Sequence, residues 1–205
     1  MVGSETPSRV VLMASGSGTL VQSVLDSVDV PDCPYRIVAL VSDRDCGALA
    51  RADRAGVPTV VVRPGDHPDR AAWDRAVTDA VRGFEPDWVV SAGFMRILGT
   101  AFLGEFSGRV VNTHPALLPA FPGAHAVRDA LAYGVTVTGS TVHLVDAGVD
   151  TGPVIAQRAV DVRPDDTEGT LHERIKVVER EMLVDVLAAA ARGRLHIEGR
   201  KVHLT

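Results

Sequence analysis

The sequence predicts one α/β domain, a three-layer sandwich in which helices cover both faces of a mostly parallel sheet whose carboxyl-terminal part turns antiparallel. Three observations carry this. Short apolar runs alternate with helical-period segments through residues 9–82, the βαβαβ order that gives parallel strands and right-handed crossovers. Residues 136–145 and 154–162 then form two strand-type segments joined by a loop dense in turn formers, Asp146-Ala147-Gly148-Val149-Asp150-Thr151-Gly152-Pro153. Finally, 205 residues with 46% hydrophobic content suffice for one full core.

In chain order, residues 9–14 read as a first buried strand that runs into Ser15-Gly16-Ser17-Gly18-Thr19 and a helix over 20–27. Strand, glycine loop and helix together are a common anion cradle, because glycines let backbone amides approach a phosphate at the positive end of the helix dipole. The loop is not a dinucleotide fingerprint, since GxGxxG needs Gly where Val21 stands, and it lacks the Gly-Lys-Ser/Thr of a P-loop. A plain tight turn with Thr19 as N-cap is the structural alternative. Residues 36–42 read as a second strand, 48–55 as a helix stopped by Gly56, and 58–63 as a third strand. Trp73, Ala76, Val77, Ala80 and Val81 then lie at helical spacing within 67–82. Arg70 falls in the first turn of that helix, where a cation gains nothing from the dipole.

Residues 87–92 read as a fourth strand that releases Gly93-Phe94-Met95-Arg96-Ile97-Leu98 at its end, and 109–112 as a fifth. A helix near 124–133 precedes the antiparallel pair, and a long amphipathic helix over 167–192 carries Leu171, Ile175, Val178, Met182, Leu183 and Val186 on one face. Lys176 and Glu179 are three apart on it, which by spacing alone reads as an exposed ion pair. Residues 194–205 read as a short closing strand pair, and no repeat or linker divides the chain.

The balance of 21 basic against 26 acidic residues, with no basic stripe, argues against nucleic acid as a partner. Residues 1–8 lack the charged start and apolar run of a leader, and no segment approaches the ~20 apolar residues that span a bilayer, so no membrane association and a cytoplasmic location are expected. Cys33 and Cys46 are too few for a disulfide framework. A homodimer through the sheet edge is compatible with the pattern, which does not demand one.

The chemistry concentrates in residues 109–125. Asn112 and His114 leave the fifth strand two residues apart, so an extended backbone points an amide and an imidazole the same way. Pro115, Pro119 and Pro122 forbid helix next, giving a stiff loop at the carboxyl end of a strand, where open α/β sheets bind ligands. Taken alone, an Asn-x-His pair reads more readily as an ordinary strand exit whose side chains satisfy loop backbone.

Four segments together are more specific. Ser15-Gly16-Ser17-Gly18-Thr19, Ala92-Gly93-Phe94-Met95-Arg96-Ile97-Leu98, Asn112-Thr113-His114-Pro115-Ala116-Leu117-Leu118-Pro119 with Pro122-Gly123 and His125, and Val149-Asp150-Thr151-Gly152-Pro153 resemble the folate-dependent phosphoribosylglycinamide formyltransferases in order and spacing, over the chain from Arg9 to the last helix. The resemblance implies a Rossmann-like single domain, with a phosphate-binding half over 9–108 and a folate and catalytic half over 109–205. It implies 10-formyltetrahydrofolate as cosubstrate, glycinamide ribonucleotide as acceptor in purine synthesis, and no metal requirement. By the same resemblance Asn112, His114 and Asp150 are the catalytic group, with His125 in a secondary role. Gly18, Thr19 and Leu20 would hold the phosphate, although the family often has Asn where Leu20 stands. Lys176 and Glu179 would meet the ribonucleotide, and Gly93, Met95 and Pro115 would line the approach of its amine. Arg70, Met95, Arg96, Ile97, Leu98 and Asn112 would contact the folate.

Those side chains suit formyl transfer, which develops negative charge on a carbonyl oxygen and moves protons between nitrogens. An Asn amide donates to the oxygen, a protonated imidazole donates and acts as general acid, and a carboxylate favours that imidazolium and can relay the amine's proton through water. Four other readings share parts of this pattern. A formyltetrahydrofolate deformylase uses a similar group but usually carries an extra amino-terminal domain, and a methionyl-tRNA formyltransferase needs a basic carboxyl-terminal one. A non-catalytic nucleotide-binding module leaves Asn112, His114 and Asp150 unexplained. A metal hydrolase using His114, His125, His143 and Asp150 lacks HExxH-type spacing.

Overall fold

A computed structural model describes residues 6–205 of the chain; residues 1–5, and with them most of the segment read as lacking a leader, lie outside it. The strands are β1 (Ser8–Ala14), β2 (Tyr35–Ser42), β3 (Thr59–Val61), β4 (Trp88–Ser91), β5 (Val110–His114), β6 (Val137–Leu144), β7 (Val154–Asp161), β8 (Leu195–Glu198) and β9 (Lys201–Leu204). The helices are α1 (Thr19–Asp26), α2 (Gly47–Arg54), α3 (Arg70–Arg82), α4 (Thr100–Glu105), α5 (Ala126–Tyr133) and α6 (Glu168–Ala191). Strands β1 to β7 form one seven-stranded sheet in the order β3-β2-β1-β4-β5-β6-β7, parallel as far as β5 and antiparallel across β5, β6 and β7; β8 and β9 form a separate hairpin. No helix of the described residues is long and apolar enough to cross a membrane.

Strand alternation divides the core between the two faces, as the fold class requires. Val10, Leu12, Ala14, Val90 and Val111 pack with Val21 and Val24 of α1 and Met182, Leu183 and Val186 of α6. Val11, Met13, Val89 and Val110 turn the other way, onto Trp73, Val77 and Val81 of α3 and Phe102 of α4. Both faces are therefore dry.

Several boundaries moved for physical reasons. Gly18, in the left-handed region at φ 74°, is the N-cap of α1, so Thr19 is its first residue and not its cap. The third helix begins at Arg70, after Pro68, because the Asp69 carboxylate accepts from the Ala72 amide at 2.7 Å. Helix α4 was not anticipated from the sequence. Its first turn is capped from a distance, the buried Asp74 carboxylate accepting from the amides of Gly99 at 2.7 Å and Ala101 at 2.9 Å. The fifth strand extends two residues past Asn112, because β6 pairs with it as far as His114 opposite Thr141.

Candidate active site

The end of β5 and the two segments that follow it assemble the polar cluster. Val110 and Val111 are buried, and the alternation that sends Val111 to one face sends Asn112 and His114 to the other. In the antiparallel ladder His143 of β6 stands opposite Asn112, and the Asn112 Nδ2 to His143 Nε2 distance is 3.3 Å. The loop after β6 folds back so that Asp150 meets both rings: Oδ2 lies 3.3 Å from His114 Nδ1, and Oδ1 lies 3.7 Å from His143 Nε2. Asp150 takes a positive φ of 54°, uncommon for a residue with a side chain. The Gly123 amide, donating to its Oδ2 at 2.8 Å, ties it to the proline-rich loop. Gly152 is needed behind it, since a Cβ there would lie 1.8 Å from the Leu144 carbonyl oxygen.

The hydrogen-bond partners assign the protons. His114 Nε2 faces the Phe121 carbonyl at 2.7 Å, and a carbonyl only accepts, so Nε2 carries hydrogen. Its Nδ1 then points at a carboxylate oxygen, an arrangement satisfied by one further proton between them. The 3.3 Å separation exceeds the roughly 2.7–2.9 Å of a tight charge-assisted bond, which leaves that proton available to a third group. His143 is assigned the same way. Its Nδ1 donates to the Leu144 carbonyl at 2.8 Å, and burial pushes the ring's pKa below its ordinary value, with the Leu144 bond and Asp150 opposing only in part. A neutral ring so oriented has a bare Nε2, which accepts from the Asn112 amide. The tautomer of His143 therefore fixes which way the Asn112 amide faces and leaves its second N–H unspent.

His143 was weighed in the sequence only as a metal ligand, and its positioning role was missed. The readable signal was register: it sits in the alternating segment that pairs with β5. Among the described residues no group of three or more His, Cys, Asp or Glu is arranged to hold a metal ion. His125 is the exposed N-cap residue of α5 and makes no side-chain capping bond. Pro115 follows β5 directly, and the loop behind it is buttressed by Thr141 Oγ1, which donates to the Ala116 carbonyl at 2.7 Å and accepts from the Leu118 amide at 3.0 Å.

On the α1 and α6 face, Gly18 closes the glycine loop against α2, where a Cβ would lie 2.6 Å from Ala48 Cα. Leu20 is buried in the core, so only its backbone amide faces the loop, alongside that of Thr19. The exposed Lys176–Glu179 pair read from spacing is not what forms. Lys176 Nζ binds Glu173 Oε1 at 2.7 Å, while Glu179 is buried and faces Thr113 of β5. Burial pushes the Glu179 carboxyl above the usual carboxylate range, with Thr113 and Lys176 opposing.

On the α3 and α4 face, the loop after β4 exposes Met95 (72%) and Ile97 (63%) while Phe94 and Leu98 are buried. Phe94 stacks on Trp73 at 6.4 Å between ring centroids, and the Arg70 guanidinium lies over the same indole at 4.8 Å. Arg96 donates through Nε to Asp43 at 2.8 Å. Two surface cavities, one of about 430 Å³ beside Phe121 and Tyr133 and one of about 360 Å³ beside Pro164, do not contain the polar cluster.

The comparisons with known proteins follow this geometry. Residues 8–187 match the formyl transferase family. The chain is 58% identical over 207 residues to the phosphoribosylglycinamide formyltransferase of Mycobacterium tuberculosis, covering 98% of this chain and 96% of that protein. The crystal structure of glycinamide ribonucleotide transformylase 1 from Symbiobacterium toebii superposes with a TM-score of 0.94 at 43% identity, over 97% of this chain and 94% of that one. A formyltetrahydrofolate deformylase from Pseudomonas syringae is also similar, with a TM-score of 0.90 at 27% identity, covering 97% of this chain and 66% of that one.

Proposed function

The chain belongs to the formyl transferase family, and from that premise we propose that it transfers the formyl group of 10-formyltetrahydrofolate to the amine of N1-(5-phospho-D-ribosyl)glycinamide, a step of purine synthesis. The observation that carries the reading is the convergence of Asn112, His114 and Asp150, with 3.3 Å between His114 Nδ1 and Asp150 Oδ2. The closeness to a phosphoribosylglycinamide formyltransferase at 58% identity supports the choice of acceptor.

In this mechanism Asn112 uses the N–H that His143 leaves unspent to donate to the formyl oxygen as charge develops there, and the second donor is the proton between His114 and Asp150. His114 then passes that proton to the departing folate nitrogen. Asp150 takes up, through water, the proton that the attacking amine releases, and returns it to the His114–Asp150 pair. Protons and charge balance over the cycle: one leaves the amine, one reaches the folate nitrogen, and the His114–Asp150 pair returns to its starting state.

The residues present fit the two substrates. Met95 and Ile97 are exposed apolar side chains on an irregular loop at the sheet edge, which a flat heterocycle would cover together with Leu98. Arg70 is an exposed cation on that side, suited to a carboxylate tail. The amides of Thr19 and Leu20 after Gly18 suit a phosphate, Lys176 and Glu179 suit the ribose end, and Gly93, Met95 and Pro115 border the amine's path.

The test is an initial-rate assay with 10-formyltetrahydrofolate, with and without glycinamide ribonucleotide. Tetrahydrofolate should form only when the ribonucleotide is present. Equal rates without it would make water the acceptor and the protein a deformylase.

A further inference from the structure

We propose that Asp43 is a positioning residue for the cosubstrate loop: its buried carboxylate sets the course of residues 93–98, and the Arg96 side chain is a strut to Asp43 and not a ligand for the folate. The proposal rests on reading 93–98 as the folate-facing loop.

Asp43 follows β2 at the sheet's carboxyl edge, and its side chain is wholly buried, whereas those of Arg44 and Arg96 are 48% and 39% exposed. Arg96 Nε and Arg44 Nη2 each lie 2.8 Å from its Oδ2. Ser15, just after β1, lies near enough to favour the charged carboxylate. Its hydroxyl accepts from the Met95 amide at 2.9 Å, so its single hydrogen is free to turn toward Asp43. The side chain of Arg96 is therefore tied directly to Asp43, and the backbone of Met95 to the serine beside it. The Ser15 amide adds a bond to the Gly93 carbonyl at 3.1 Å.

Residues 94–98 form no helix or strand and present Met95 and Ile97 to solvent. Apolar side chains on a loop of that kind would fold inward unless the backbone is held. An anion buried without partners would be strongly disfavoured, so the two guanidinium groups and the hydroxyl account for its presence. Burial works against ionisation, yet the bonds from Arg44, Ser15 and Arg96 hold the carboxyl well below its ordinary range. The anchor stays charged at any working pH.

The tie should act on one substrate more than the other. Beyond Ser15, the glycine loop is also held by α2, through Arg51 Nε to the Ser17 carbonyl at 2.9 Å and the Ala48 amide to the Gly16 carbonyl at 3.1 Å.

The test compares Asp43→Asn, Arg96→Gln and the double variant, with Ile97→Ser reporting on the loop itself. Each single change at the tie should raise KM for 10-formyltetrahydrofolate about tenfold or more, the scale of a charge-assisted bond lost from a buried site. Turnover and the ribonucleotide KM should stay within about threefold, because Asn112, His114 and the glycine loop are untouched. The double variant should be no worse than about twofold beyond Asp43→Asn, since both changes cut the same tie. An equal Arg96→Gln penalty in both backgrounds would mean that Arg96 contacts the folate itself, and the strut is wrong. Should Asp43→Asn fail to fold, Arg96→Gln alone decides: a folate KM within threefold of the parent overturns the proposal. If Ile97→Ser also leaves that KM unchanged, the folate-loop reading has failed and the proposal with it. If Ile97→Ser raises it while Asp43→Asn and Arg96→Gln do not, only the strut has failed.

Discussion

Replacing Asp150 with Asn removes one charge from the site and almost no volume. At 3.3 Å, two unit charges in surroundings of effective dielectric about 20 attract by on the order of 5 kcal/mol. Asp150 is 13% exposed, and an amide oxygen still accepts from the Gly123 amide, so the net loss should be about half of that, roughly 2–3 kcal/mol. If the attraction holds His114 protonated through the reaction, turnover falls by about 30- to 150-fold. The new amide nitrogen would turn toward His143 Nε2, where Asp150 Oδ1 now lies at 3.7 Å, and compete with Asn112 for the same lone pair. Stability should not fall, because Asn tolerates the positive φ of this position at least as well as Asp. The assay is kcat at saturating concentrations of both substrates, alongside a thermal melt. A variant that melts with the parent and keeps its kcat within threefold would refute the coupling of His114 to Asp150.

Other outcomes follow from the same geometry. Asn112→Ala should lower kcat by about 100-fold or more with each KM within a few fold, because the donor acts on charge that develops only during reaction; loss confined to KM would move Asn112 out of that role. His143 is kept neutral by burial, so protons bind it more readily in the unfolded chain, and its share of stability is lost as pH falls below about 6.5 toward its lowered folded value. His143→Gln should therefore lose less melting temperature than the parent between pH 7 and pH 5, and an identical slope would contradict the assignment. Glu179 has the opposite sign. Its raised pKa makes the carboxyl a stabilising group below its unfolded value near 4.5, and that contribution is lost as pH rises through the folded one. Glu179→Gln should melt higher than the parent at pH 7.5, by more than at pH 4.5, while raising the ribonucleotide KM about tenfold; a lower melt at pH 7.5 would reverse the sign.

The parts of the site readable in the sequence are those that local rules determine. Asn112 and His114 share a face because a strand has period two, and Gly18 sits where a glycine is sterically required. Residues 92–98 were placed at a strand end by the pattern of β4. What escaped depends on partners distant in the chain. His143 acquires its role from antiparallel pairing with Asn112, 31 residues away, and α4 takes its cap from Asp74, 25 residues before Gly99. From the sequence Arg96 reads as free to bind a ligand, because its partner Asp43 lies 53 residues upstream. Lys176 and Glu179 misled for a different reason. Residues three apart on a helix are neighbours only if both point outward, and Glu179 turns inward to Thr113.

The alternation of β5 also gives the proposed reaction its geometry. Val111 and Thr113 face α1 and α6, where the glycine loop and Glu179 lie; Val110, Asn112 and His114 face the side of α3 and α4, where residues 93–98 emerge. In the proposed reading the phosphoribosyl acceptor and the folate thus approach opposite faces of one sheet, and their reactive ends can meet only past its carboxyl edge. A strand end supplies that meeting point because consecutive residues, Asn112, Thr113 and His114, address the two faces in turn. Helix α5 lies between β5 and β6 in the chain, and the antiparallel return of β6 after it places His143 directly opposite Asn112 and delivers Asp150 six residues after Leu144. The change in strand direction therefore gives an amide and an imidazole on one strand both an orienting ring and a counter-charge within a single hairpin.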